Sequence, residues 1–366
     1  EQPLRRHQRV SSGPVRAWRK LQRTFGQCRL DADHAAKVAV RHVGQRTAFV
    51  FPRIPYHQIG EAFALQAQCT RRFVQHYGVR CAAVQTVDFV LDDDGVDSMA
   101  VFKKQMRARG VDVRGGGPGT LGTDALRPGT LADRTHAIVL TGRSMFGLAA
   151  VDGVLRYLEE RGVGLALGDV RVPIVAGAVI FDLFVGDRHV RPDADAGYQA
   201  CRAAGRAVAI GAVGVGTGAT VAKAGGGAQV RPGGLGVASA RVGDTVVAAV
   251  MAVNSVGGVW DDDEHRWVAP LTAWDHASPL FAGANTTIGV VVTDATLTKE
   301  QAGRLATVAH DGIARAVRPA HTMYDGDTMF SLATGTTTAA YDAVEVVACE
   351  VVAQAIVAGV RAGQRG

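Results

Sequence analysis

The chain is 366 residues long, 47% hydrophobic and rich in glycine (45 residues), which suffices for a large core crossed by many tight turns. Its five cysteines, Cys28, Cys69, Cys81, Cys201 and Cys349, are scattered without a CxxC pair, which argues against a zinc site or a disulfide framework. The net charge of +6 hides a division: residues 1–80 hold 15 Lys and Arg against 4 Asp and Glu, while the rest of the chain is net acidic, so the basic balance is not a nucleic-acid footprint of the whole.

No apolar run approaches the roughly 20 residues of a bilayer span. EQPLRRHQRV at the N-terminus has no apolar stretch behind it, so neither a membrane nor a secretory segment is expected, and the expected location is cytoplasmic. Residues 15–25 and 63–77 read as helices, the second ending near Gly78. A basic arm for nucleic acid would interleave aromatics with its charges. Trp18, Phe25 and Phe73 are too sparse for that, and composition favours a poorly ordered extension. Residues 83–91 read as a strand and Asp92-Asp93-Asp94 as a solvated turn. Residues 101–109 read as a short amphipathic helix with Lys103, Lys104 and Arg107 on its wet face.

From Gly110 the texture changes. GVDVRGGGPGT is a short strand entering a glycine-rich loop, and HAIVLT (136–141) reads as a buried strand. A helix follows over 148–161, closed by Gly162, and another over 193–204. Residues 207–213 read as a strand before the densest glycine tract, 211–236, in which Lys223 is the only lysine. DTVVAAVMAVN (244–254) is a long strand ending at Asn254, and 260–284 reads as a loop with three tryptophans and the DDDE cluster 261–264. Thr298 and Gln301 have capping-box spacing and open a helix to about 317, before Pro319. Residues 328–333 form a strand behind Asp325-Gly326-Asp327, and 341–360 a closing helix with a small-residue face. Strands and long helices alternate irregularly, which predicts α+β or α/β layering with sheet inside and helices outside.

Several residues invite chemistry. GVGTGA (214–219) approximates a GxGxxA dinucleotide fingerprint, but further glycines and Pro232 leave no room for the long helix such a site needs. Lys223 reads as a solvated loop lysine or as a cation set among backbone N–H groups. Asn254 reads as a turn-former or an oxyanion donor. Asp325 and Asp327 read as a turn or as two carboxylates on one side of a strand, which suits proton transfer. No GxSxG elbow accompanies His136, His310 or His321, which disfavours a serine–histidine hydrolase. In FAGANTTIGVVV (281–292) a small-residue loop leads into Asn285-Thr286-Thr287 and a β-branched run follows. Thr286 thus stands at the mouth of a buried strand, as a nucleophile freed by self-cleavage would, or as an ordinary loop-to-strand junction would.

GVDVRGGGPGT, HAIVLTG, VPIVAGAVIFDL, GAVGVGTGATVAK, VAVNSVG, NTTIGVVVTDATLTKEQ and HTMYDGDTMFSLATG occur in this order. Together they resemble the DmpA/NylC-type peptidases, which include L-aminopeptidase/D-esterases, β-peptidyl aminopeptidases and 6-aminohexanoate-oligomer endo-hydrolases. The resemblance covers residues 110–366. It implies an α+β fold, an αββα sandwich of the N-terminal-nucleophile-hydrolase type. It implies self-cleavage between Asn285 and Thr286 into chains 1–285 and 286–366, with the Thr286 hydroxyl attacking first the Asn285 carbonyl and later a small peptide or amide substrate. Lys223 and Asn254 would stabilise or orient, and Asp325 and Asp327 would assist proton transfer. No metal or organic cofactor, nucleic acid or membrane is implied, and the family's habit suggests a homo-oligomer, a tetramer of processed pairs.

Three features depart from the family pattern. Residues 1–109 lack the family's N-terminal strand pair and read as an atypical basic extension. Arg143 stands where the family has a second glycine, and a cation there is expected to narrow the substrate cleft. Phe181 stands where some members have tyrosine. These departures motivate the alternative of an inactive or non-enzymatic binding protein on the same scaffold, with an NAD-linked oxidoreductase as a distant third.

Overall fold

The computed structural model describes residues 39–43, 46–50, 88–91, 99–106, 108–132, 134–204, 208–274 and 285–365. The chain divides into two compact units, 1–77 and 78–366. In the first, strands Ala39–Val43 and Arg46–Val50 pair antiparallel. The helices expected over 15–25 and 63–77, the Asp92-Asp93-Asp94 turn and the small-residue loop 281–284 lie outside the described residues.

The second unit is built from two five-stranded sheets. One has the order β1-β2-β5-β6-β4, where β1 is Asp88–Leu91, β2 Met99–Met106, β4 Thr120–Leu121, β5 Thr135–Thr141 and β6 Val175–Val179. The other has the order β7-β8-β9-β10-β3, where β3 is Ala108–Val113, β7 Gly234–Val242, β8 Thr245–Asn254, β9 Thr286–Ala295 and β10 Thr328–Thr337. Helices α1 (Ala150–Glu159) and α2 (Ala194–Arg202) pack on the first sheet. Helices α3 (Lys299–Ala316) and α4 (Tyr341–Gly363) pack on the second.

The period-two pattern of the strands sorts their side chains between layers. In β8, Val247, Ala249, Met251 and Val253 pack toward α3 and α4, while Val250 and Ala252 pack between the sheets. Ile288, Val290 and Val292 of β9 join that middle layer, where they meet Ile138 and Leu140 of β5 and Ala176 and Ala178 of β6. Both β8 and β9 are buried along their whole length, which is why they read as continuous apolar runs rather than alternating ones. The result is the expected αββα sandwich.

Most predicted elements are present. The capping box forms: the Thr298 hydroxyl accepts from the Gln301 N–H (3.2 Å) and the Gln301 side chain accepts from the Thr298 N–H (2.9 Å). The small-residue face of α4 also has its reason. A Cβ at Gly236 of β7 would lie 1.9 Å from the Ala355 carbonyl oxygen, so helix and strand backbones touch there. By length and composition α4 is one helix long and apolar enough to cross a membrane, contrary to the expectation that no run approaches that length. Here its apolar residues Val344, Val351, Val352, Ile356 and Val360 are buried in the helix–sheet core.

Other expectations are corrected. Residues 101–106 and 108–109 form no helix but belong to β2 and β3, with β2 antiparallel to β5 (Met99 opposite Thr141, Lys103 opposite Ala137) and β3 antiparallel to β10. Strand pairing on both sides overrides a helical charge spacing that local pattern alone suggests. The boundary expected at 109/110 therefore falls inside the sheets, and the compact unit begins at Gly78. Residues 208–213 contribute only a single bridge, Gly211 to Leu235, instead of a strand. Part of the expected loop 260–284 is a hairpin of Gly258–Asp261 and Arg266–Ala269, closed by T-shaped packing of Trp260 on Trp267. Its DDDE turn is fastened by ion pairs: Arg361 of α4 to Asp261 and Glu264, and Arg315 and Arg318 to Asp262.

Candidate active site

Thr286 is the first residue of β9, and its backbone pairs with Asn254, the last residue of β8. The site therefore lies where two buried central strands end together. Asn285, one residue earlier, bridges to Asp325, and its carbonyl oxygen accepts the N–H of Gly326 at 3.0 Å. The buried Thr286 hydroxyl donates to the same carbonyl oxygen. The Asn285 side-chain amide donates to the Tyr324 carbonyl (3.3 Å).

Lys223 opens a tight turn after Ala222, which has φ of 59°. Its side chain is buried, and its Nζ donates to both the carbonyl (3.0 Å) and the Oδ1 (2.8 Å) of Asn254. Asn254 Oδ1 also accepts from the Thr220 N–H (2.9 Å), and its Nδ2 donates to the Phe181 carbonyl (2.8 Å). Burial pushes the Lys223 ammonium down to about 7, although Asp325 and Asp182 pull the other way.

The two aspartates hold the backbone around the junction. Asp325 Oδ1 accepts from the Val256 N–H (3.2 Å), and its Oδ2 from the N–H (3.0 Å) and hydroxyl (2.6 Å) of Thr322. Burial, and next the charge of Asp327, push the Asp325 carboxyl up to about 6. Asp327 Oδ1 accepts from the Thr287 N–H (2.7 Å), and its Oδ2 from the backbone N–H (3.1 Å) of His321, whose ring Nδ1 lies 2.8 Å away. Burial lowers the His321 pKa, but the bond and charge of Asp327 outweigh it and the net shift is upward. The neighbouring His310, ring to ring at 4.8 Å, is pushed down to about 4, chiefly by burial.

All the predicted site residues thus come together. Asn254, Asn285, Thr286, Asp325 and Asp327 stand at the ends of β8 and β9 and on the turn before β10, and Lys223 reaches them from its own turn through Asn254. Sequence reasoning missed the support: His321 and Thr322, whose signal was their place six and three residues ahead of the carboxylates they hold. Beside Lys223 opens a pocket of about 270 Å³ lined by Phe181, Asp182, Phe184, Val185 and Val230. The expectation that Arg143 narrows the cleft is corrected. Arg143 has φ of 62°, the left-handed region that favours glycine. Its guanidinium is turned away onto the carbonyls of Asp182 (3.1 Å) and Val185 (2.7 Å), and its N–H donates to Asp182 Oδ1 (2.6 Å).

The model of Peptidase family S58 matches residues 96–365, which takes in both sheets from β2 onward and every site residue. The chain belongs to peptidase family S58. Among relatives of this S58 chain, an uncharacterized aminopeptidase of Mycobacterium bovis is 46% identical over 245 residues, covering 62% of this chain and 69% of the relative. A 6-aminohexanoate-oligomer endohydrolase of Kocuria sp. is 30% identical over 241 residues, covering 61% and 65%. Among solved structures, a Burkholderia sp. β-aminopeptidase superposes with a TM-score of 0.59 at 22% identity, over 78% of this chain and 90% of that one. The L-aminopeptidase D-Ala-esterase/amidase of Ochrobactrum anthropi, described as a variant of the Ntn-hydrolase fold, superposes with a TM-score of 0.57 at 18% identity, over 74% and 82%. The DmpA/NylC resemblance and its fold are borne out, and the S58 protein is a hydrolase of the aminopeptidase and oligomer-hydrolase kind.

Proposed function

We propose that this S58 hydrolase processes itself between Asn285 and Thr286 and uses the freed Thr286 as its nucleophile on a small peptide or amide. The observation that carries this reading is the Thr286 hydroxyl seated on the Asn285 carbonyl, which the Gly326 N–H already polarises. Attack by Oγ on the carbonyl carbon forms a C–O bond. The C–N bond then breaks, the hydroxyl proton passes to the departing amine, and water hydrolyses the resulting ester. The Gly326 N–H stabilises the oxyanion of this step. Lys223, whose ammonium burial pushes down to about 7, is the base that carries the proton, and Asn254 holds it opposite Thr286. Asp327 fixes the Thr287 N–H and with it the start of β9. In the mature enzyme the new α-amine of Thr286 serves as a second base.

Denaturing electrophoresis with N-terminal sequencing tests the reading. Chains of 1–285 and 286–366 are expected, the second beginning Thr-Thr-Ile. A single uncut chain after long incubation, or full amidase activity in Thr286→Ala, would overturn it.

A further inference from the structure

The pocket beside Lys223 has one continuous wall. Phe181, Asp182, Phe184 and Val185 all line it, and all fall within five consecutive residues after β6. That wall is fastened at both ends. Toward the reaction centre, the Phe181 carbonyl accepts from Asn254 Nδ2. At the far end Arg143 grips it: Nη1 donates to the carbonyls of Asp182 and Val185, and the Arg143 N–H donates to the Asp182 carboxylate. Ser144 adds an N–H to the Ile180 carbonyl at 2.9 Å. The surface so held is apolar. Phe181 and Phe184 pack ring against ring at 5.1 Å, Val185 and Val230 extend the apolar face, Thr220, Lys223 and Gly227 line the side toward the reaction centre, and Phe184 stays 62% exposed. The Asp182 carboxylate is turned onto Arg143, and burial, the leading influence, raises its pKa. About 270 Å³ is room for a ring-sized group.

We infer that this pocket takes a single uncharged apolar or aromatic group flanking the scissile amide, and that Arg143 is the positioning residue that sets its wall. The inference deepens the proposed function and names the substrate class of the same site. Arg143 acts through main-chain carbonyls. Losing it lets the segment 181–185 relax, and the Phe181 and Phe184 rings then no longer present one face.

Equilibrium binding of two uncharged probes, 3-phenylpropionamide and propionamide, tests this by calorimetry on the full chain. The same measurement on Thr286→Ala separates it from the nucleophile reading, because binding needs no cleavage. The wild type is expected to bind the phenyl probe roughly tenfold or more tighter than the small one. Phe184→Ala, which leaves the Arg143 contacts in place, and Arg143→Gly, with its fold checked by circular dichroism, are each expected to cut that ratio at least about fivefold. Equal binding of the two probes by the wild type, no detectable phenyl-probe binding, or a ratio unchanged in Phe184→Ala or in folded Arg143→Gly would overturn the inference.

Discussion

At the scale of single residues, the proposed mechanism rests on Lys223, whose ammonium burial pushes down. Its pKa of about 7 lies well below its ordinary value of 10.5, so the neutral amine appears as pH rises through neutrality. The self-cleavage rate should therefore climb from about pH 6 to about pH 8 with a midpoint near 7, followed by band conversion on gels. A rate that is flat over that range would remove Lys223 as the base. Lys223→Met should slow cleavage by roughly a hundredfold or more, the scale of a lost general base. His321 belongs to the same scale. His321→Ala removes the ring partner of Asp327 Oδ2 and leaves only the backbone N–H, and should slow processing while His321→Gln, which keeps a side-chain donor, restores part of it. Equal rates in the two variants would count against a role for the ring.

Element-scale arguments concern how the strands and helices hold that geometry. The Thr298–Gln301 capping box opens α3, whose first turn packs beside β10 and whose far end is tied to the hairpin turn. Thr298→Ala should cost about 1 kcal/mol in urea unfolding, and a change below about 0.3 would show that packing alone fixes the helix. The contact of α4 with β7 is less forgiving. A side chain at Gly236 meets the backbone of Ala355 and Gly359, neither of which can rotate away. Gly236→Val should destabilise by about 3 kcal/mol or more, read as a lower urea midpoint. Much of this scale was legible in the sequence. The continuous apolar runs of β8 and β9 announced strands buried on both faces, and the capping residues announced α3. The segment 101–109 was not legible, because Lys103, Lys104 and Arg107 have helical spacing while the pairing partners, β5 and β10, lie far along the chain.

For the whole molecule, buried charge ties stability to pH. Asp325 keeps its proton in the fold up to about pH 6, whereas in the unfolded chain it releases it near 3.8. The stability this group contributes is complete below pH 3.8 and is lost as pH rises through 6. Lys223 has the reverse sign. Its contribution is complete above pH 10.5 and is lost as pH falls through about 7. Urea titrations across this range should show the stability difference between wild type and Asp325→Asn shrinking between about pH 4 and 6, the window of its shifted carboxyl. A difference that does not change with pH would mean that Asp325 is ionised alike in both states.

The sequence by itself determined the layering and pointed to the candidate site residues. Asn285-Thr286 before a β-branched run, Lys223 in a glycine tract, Asn254 at a strand end and the Asp325/Asp327 pair are local signals, because residue type and spacing carry them. Period-two and small-residue patterns likewise specify which faces must be buried. Only the tertiary structure decided how distant segments share a site. Nothing local to Lys223 says that its amine meets Asn254 opposite Thr286, or that His321 holds Asp327. Arg143 read as an obstruction because a long cation replaced a glycine. The fold turns it onto the carbonyls of a segment some forty residues on, and the reason is physical: a buried guanidinium must find acceptors, and only the folded chain brings them within reach.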